Sequence, residues 1–285
     1  HPEKHIPEAQ MRRYELFLQR REGGECAAYV IGYKEFRRLK LHVTADTLVP
    51  RADTETLVEA VLDYVDGKTP PPRSLHVLDL CTGSGAVALA LKQERPFLNV
   101  YASDISEAAL HAAKQNAAEH SLDVHFIQSD LFQNIGGVFD ILTANPPYIP
   151  SAAIGGLAPE VRREPALALD GGPDGLVLIR AIVQQAGAYL SPGGALFMET
   201  APEQINDTAA LLTSAGFTRI TRHNDLAGDE RVIGASWYVC KNYRAVVSEP
   251  ASWRIFPNAS STVPKSMDAP AIRMLLSTPM TSAKN

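Results

Sequence analysis

The sequence has little that would tie it to disulfide, metal or membrane chemistry. Only three of its 285 residues are cysteine. Cys26, Cys81 and Cys240 lie far apart with no Cys-x-x-Cys pair, which argues against a zinc knuckle or a disulfide framework and fits a reducing cytoplasm. No apolar run is long enough to cross a bilayer, and the polar opening His1-Pro2-Glu3-Lys4-His5 is not a signal peptide. That opening lacks Met, so a longer natural N-terminus is expected. Cations are not in excess. A formal net charge of -5 argues against a protein that grips bare nucleic acid through phosphate contacts, and the cluster Lys34, Arg37, Arg38 and Lys40 reads as a solvated hairpin edge.

What is present is enough apolar material, 45% of the chain, for one α/β domain and a smaller attachment. From Glu8 to Arg20 the residues Met11, Tyr14, Phe17 and Leu18 recur at helical spacing. Residues 28–32 and 39–43 read as two short strands of a hairpin. A helix starts near Asp53 or Thr54, a good capping residue, and residues 67–72 form a proline-rich linker. From Ser74 strands and helices alternate: strands at 75–80, 99–103, 124–128, 139–144 and 195–199, a loop over 149–173, and a closing strand pair at 218–222 and 231–238. Short Val-, Ile- and Leu-rich runs between helices indicate a mostly parallel sheet covered on both faces. The expected organisation is a helical piece over 1–27, a hairpin, helix and linker over 28–73, the main domain over 74–243, and a disordered tail over 244–285.

Four features carry chemistry. The loop Asp79-Leu80-Cys81-Thr82-Gly83-Ser84-Gly85 joins a strand to the helix that begins at Ala86. Its glycines let a ligand approach the backbone, and the helix start offers free N–H donors. The spacing is neither a dinucleotide fingerprint nor a P-loop, and a plain tight turn is the alternative. Asp104, at the end of the next strand, can accept both hydroxyl hydrogens of a ribose or cap the helix that follows. Ser129-Asp130-Leu131-Phe132 can meet an adenine, its acid on the amino group and Leu131 or Phe132 on the ring. Asn145-Pro146-Pro147-Tyr148, closing the run 139–144, offers a side-chain oxygen and a backbone carbonyl to both hydrogens of a planar NH2, with Tyr148 to stack on it. No histidine belongs to these features; His42, His76 and His125 read as packing or surface residues, and no metal-ligand set is present.

With these motifs the chain closely resembles the release-factor glutamine methyltransferases, the PrmC/HemK family. The resemblance extends to Thr47-Leu48-Val49-Pro50-Arg51-Ala52-Asp53-Thr54-Glu55, to the run Glu164 to Gly172, and to Asp225-Leu226-Ala227-Gly228, covering about residues 1–235. It implies a class I, Rossmann-like methyltransferase fold with a seven-stranded mostly parallel sheet, and transfer of a methyl group from S-adenosylmethionine to the glutamine of the Gly-Gly-Gln loop of peptide chain release factors. By that analogy Cys81, Thr82, Gly83, Ser84, Gly85, Asp104, Leu131 and Asn145 hold the cofactor. Asn145, Pro146, Pro147 and Tyr148 hold the glutamine, with Asn145, Pro146 and Tyr148 closest to the chemistry. Arg51 either shapes the pocket wall or pairs with a carboxylate. Cys81 stands where the family often has glycine, and the helical docking piece is shorter than the family's. A cytoplasmic monomer is expected. A glutamine in a ribosomal protein, a DNA base amine, or binding without turnover stay open as alternatives.

Overall fold

The computed structural model describes residues 7–68 and 74–238. The expected tail, most of the proline linker and Cys240 lie outside them. By contacts the chain divides into His1–Val246 and Val247–Asn285, and the second unit also lies outside the described residues. No helix among the described residues is long and apolar enough to cross a membrane.

The first helix, α1 (Glu8–Glu22), buries none of its side chains; Met11, Tyr14, Leu16 and Leu18 are all exposed. Residues 28–32, expected as a strand, instead form most of a short helix, α2 (Ala27–Ile31). Two caps outweigh the β-branched run: the Cys26 thiol accepts the Tyr29 N–H, and Gly32 closes the helix in the left-handed conformation at φ 86°. The hairpin lies just beyond, with β1 (Tyr33–Phe36) antiparallel to β2 (Leu39–His42). Two of the four cations of the basic cluster are engaged within the fold. Arg37 pairs with Glu94 and Glu59, and Lys40 lies over the Tyr33 ring.

Next comes α3 (Glu55–Asp66), almost all of whose apolar residues are buried. The strands and helices that follow are β3 (Leu75–Leu80), α4 (Ala86–Glu94), β4 (Leu98–Asp104), α5 (Glu107–Glu119), β5 (Val124–Gln128), β6 (Phe139–Ala144), α6 (Val177–Tyr189), β7 (Leu190–Glu199), α7 (Ile205–Ser214), β8 (Thr218–Asn224) and β9 (Glu230–Ser236). Their sheet order is β5-β4-β3-β6-β7-β9-β8. The first five run parallel, and β9 is antiparallel to both β7 and β8. One core packs α3, α4 and the hairpin residues Phe36, Leu39 and Leu41 on one face. The other packs α6 and α7 on the opposite face. This is the doubly covered, mostly parallel sheet that the pattern predicted.

In such a sheet ligands bind beyond the carboxyl ends of the strands where the order reverses. Here β3 lies between β4 and β6, so the loops after β3, β4 and β6 meet there. The segment after β6 passes through three short 3-10 turns between Ser151 and Ala168. It returns to pair Ile149 with Asp170, which places Gly171 and Gly175 against Tyr148. A Cβ on Gly171 would come within 2.7 Å of the Tyr148 Cα, and one on Gly175, at φ +76°, within 2.2 Å of the Tyr148 carbonyl oxygen. Gly175→Ala is therefore expected to cost about 2–3 kcal/mol through overpacking and an unfavourable φ, read as a lower melting temperature. Gly136→Ala, with nothing within 4 Å, serves as the control; equal melting temperatures would contradict the packing described.

Candidate active site

The glycine loop is pinned from below by a buried carboxylate. Asp79, 1% exposed, accepts hydrogen bonds from the hydroxyls of Thr82 at 2.6 Å and Thr143 at 2.7 Å, joining the loop to β6. The Thr82 N–H donates to the Ser103 carbonyl at 3.0 Å and the Gly85 N–H to the Thr82 carbonyl at 2.8 Å. Asp104 closes the other side. Its Oδ2 accepts the Gly83 N–H at 2.8 Å and its Oδ1 the Ser106 N–H at 2.9 Å. Ser106, not Asp104, caps α5. The Ile105 N–H also stabilises this carboxylate, which keeps lone-pair capacity for a further donor.

Above the loop lies a cavity of about 310 Å³, lined among others by Cys81, Thr82, Gly83, Ser84, Asp104, Leu131 and Asn145. Gly85 is not on its wall. It starts α4 at φ 85°, where a Cβ would meet Leu89 and Ala113, so its role is the turn itself. Leu131 reaches the cavity with a left-handed backbone, φ 46°. Phe132 turns away, is 1% exposed and stacks on Tyr189 at 4.4 Å. Cys81 also has a positive φ, 56°, a conformation that glycine tolerates better.

A second cavity of about 230 Å³ is bounded by Arg51, Asn145, Pro146, Tyr148 and Leu169 among others. Asn145 belongs to both cavities, Pro147 faces the first, and Pro146 and Tyr148 face the second. Both readings of Arg51 hold: it lines this cavity and pairs with Glu164. Glu164, 4% exposed, also accepts the Val49 N–H at 3.0 Å. One carboxylate thus ties the Pro50-Arg51 segment to the loop after β6. The three histidines take no part: His42 pairs with Glu119, and His76 and His125 stack on Tyr101.

Comparison with known proteins decides what this architecture belongs to. Residues 55–157 match the methyltransferase small domain. The chain is 39% identical over 235 residues to the release factor glutamine methyltransferase of Agrobacterium fabrum, covering 81% of each chain. It is 42% identical over 220 residues to that of Moorella thermoacetica, covering 76% of each. The chain belongs to the release factor glutamine methyltransferase family. Among solved structures its fold matches a 16S rRNA N2 methyltransferase of T. thermophilus in complex with AdoMet and guanosine, with TM-score 0.52 and 21% identity over 72% of this chain and 49% of that one.

Sequence reasoning missed two buried groups beside the family's Asn-Pro-Pro-Tyr turn. Glu199, at the end of β7 and 1% exposed, accepts the Tyr148 hydroxyl at 3.0 Å. Thr54, 3% exposed, accepts the Asn145 side-chain N–H at 3.2 Å. The signal for Glu199 was a carboxylate ending an otherwise apolar strand. Electrostatics leaves the hydroxyl and thiol of this region protonated. Burial, joined by Glu199, pushes the Tyr148 phenol well up, and burial with nearby carboxylates does the same to the Cys81 thiol.

Burial also raises the Asp79 pKa from 3.8 to about 6 against the two threonine hydroxyls. The folded chain therefore binds this proton more tightly than the unfolded chain. Its contribution favours folding most at low pH and is lost as pH rises through the folded pKa. Relative to Asp79→Asn, the wild-type unfolding free energy is expected to fall between pH 3.8 and about 6 and then level off. A difference that stays flat across that window would contradict the assignment.

Proposed function

We propose that this chain transfers a methyl group from S-adenosylmethionine to the side-chain amide nitrogen of the glutamine in the Gly-Gly-Gln loop of peptide chain release factors. The observation that carries the reading is Asn145, shared by a cavity with a glycine loop and a strand-end carboxylate and a cavity with an amide-sized polar turn. The residues of the first cavity fit the cofactor's chemistry. Asp104 presents carboxylate lone pairs suited to ribose hydroxyls, Gly83 leaves open space above the loop, and Leu131 offers an apolar surface for an adenine ring. When bound, S-adenosylmethionine supplies an electrophilic methyl carbon on a sulfonium.

The protein's contribution is placement. An amide nitrogen is a weak nucleophile because its lone pair is delocalised into the carbonyl, so its orientation matters greatly. The Asn145 side-chain oxygen and the Pro146 carbonyl accept its two hydrogens and direct the nitrogen toward the first cavity, while the Tyr148 ring supports the flat amide. Pro146 and Pro147 bring no N–H of their own to compete. With the cofactor bound, its methyl would pass to this nitrogen as the sulfonium left as a thioether, and the substrate nitrogen would give up one proton to solvent. Tyr148 keeps its proton and acts as a surface and hydrogen-bond donor.

Two variants test this placement. Asn145→Ala is expected to abolish methyl transfer to a purified release factor while its melting temperature stays within a few degrees of wild type; near-normal turnover would sink the mechanism. Asp104→Ala removes charge-assisted acceptors and should weaken S-adenosylmethionine binding by about 10- to 100-fold in calorimetry. An unchanged dissociation constant would show the ribose to be elsewhere.

A further inference from the structure

We propose that Thr54 and the buried carboxyl of Glu199 are positioning residues that fix which end of the Asn145 amide faces the substrate. The inference rests on the functional reading above and adds to it two residues outside the Asn-Pro-Pro-Tyr turn. An asparagine can present its oxygen or its NH2 to the same point with almost the same shape. Only the oxygen can receive a substrate N–H. The reversed amide sets donor against donor.

The structure selects one orientation through a chain of hydrogen-bonding groups. Asn145 Nδ2 donates to Thr54 Oγ1 at 3.2 Å, which turns Oδ1 the other way, and Oδ1 has no hydrogen-bond partner among the described residues. For Thr54 to accept, its own hydrogen must point elsewhere. Glu199 supplies the place. Its Oε1 takes the Tyr148 hydroxyl at 3.0 Å, whereas Oε2 is buried with no hydrogen-bond partner among the described residues and so retains capacity. The Thr54 hydroxyl interacts with the same carboxyl; burial, the largest effect, raises the Glu199 pKa, and Thr54, Tyr148 and Arg231 act against that rise. An unprotonated carboxyl oxygen only accepts. With Oε1 taking the Tyr148 hydrogen and Oε2 unpartnered, the Thr54 hydrogen has Oε2 to point at, and the Thr54 lone pair is left for Asn145.

Two further features support this arrangement. Thr54 stands at the N-cap of α3, where its hydroxyl would ordinarily satisfy a helix N–H, yet it makes no capping bond. A cap of that kind is worth about 1 kcal/mol, and here the hydroxyl is committed to Asn145 instead. Arg231, which favours Glu199 ionisation, is itself held by Asp225 at 3.2 Å and by Asp53 at 3.7 Å. Asp53 is the residue before Thr54.

The test compares Thr54→Val, Thr54→Ser and Glu199→Gln with wild type, using a purified release factor and labelled S-adenosylmethionine. Gln keeps the shape of Glu199 but brings an NH2 that can donate to Thr54, turning the Thr54 hydrogen toward Asn145 and reversing the amide. Thr54→Val and Glu199→Gln are expected to lower kcat by about tenfold or more with cofactor Kd and release-factor KM within about twofold, and Thr54→Ser to restore kcat to within about threefold of wild type. The proposal is overturned if Thr54→Val keeps kcat within about twofold, if Thr54→Ser loses as much as Thr54→Val, or if the loss lies in Kd or KM. Should Thr54→Val fail to fold, Glu199→Gln decides on the same criterion. A readout without turnover separates this inference from the functional reading. Slow exchange of the Asn145 side-chain amide hydrogens by NMR is expected in wild type and lost in Glu199→Gln. If wild type transfers no methyl, the functional reading fails, while equal exchange in both proteins overturns the positioning proposal alone.

Discussion

Two consecutive prolines leave the middle of the turn after β6 without N–H donors, and the surrounding structure holds that turn from outside. Tyr148 is held by its hydroxyl on Glu199 and by its carbonyl, which accepts the Gln204 side-chain N–H at 2.8 Å. Asn145 is held through Thr54. Gly171 and Gly175 approach the Tyr148 backbone as closely as glycine allows. The prolines restrict the backbone and free the carbonyls to face a ligand. Rigidity comes from α3, β7 and the loop after β6 acting together.

Three buried carboxylates recur as the fasteners of this region, each joining segments distant in sequence. Asp79 joins the glycine loop to β6, Glu164 joins the loop after β6 to the Pro50-Arg51 segment, and Glu199 joins the Asn-Pro-Pro-Tyr turn to β7. Burying a carboxylate is costly unless hydrogen bonds compensate it. That cost rises steeply if a partner is lost, so such sites specify one arrangement more sharply than apolar packing does. The protein uses them where geometry must be held closely, and uses Leu, Ile and Val packing on the two sheet faces for bulk stability.

Much of this was legible in the sequence because local patterns carried it. The Val-, Ile- and Leu-rich runs at 75–80, 124–128 and 139–144 became strands at those positions, and the glycine loop, Asp104 and Asn145 converge on one cavity. The misses share a cause, which is dependence on contacts the sequence does not display. Ala28 to Ile31 looks like a strand until Cys26 and Gly32 are seen to cap it as a helix. Phe132 and Leu131 are equal candidates on paper, and packing against Tyr189 withdraws one of them. Thr54 reads as an ordinary cap and Glu199 as the end of a strand. Only the fold brings them, from 91 and 51 residues away, to Asn145 and Tyr148 respectively.

The central claim is that this site aims a glutamine amide at the cofactor's methyl group. The most direct measurement offers a release factor, its Gly-Gly-Gln to Gly-Gly-Ala variant and a DNA duplex to the protein with labelled S-adenosylmethionine, and locates the label by mass spectrometry. The account predicts one methyl group on the loop glutamine and none on the alanine variant or the DNA. Label on the DNA, or equal label on both release factors, would contradict it.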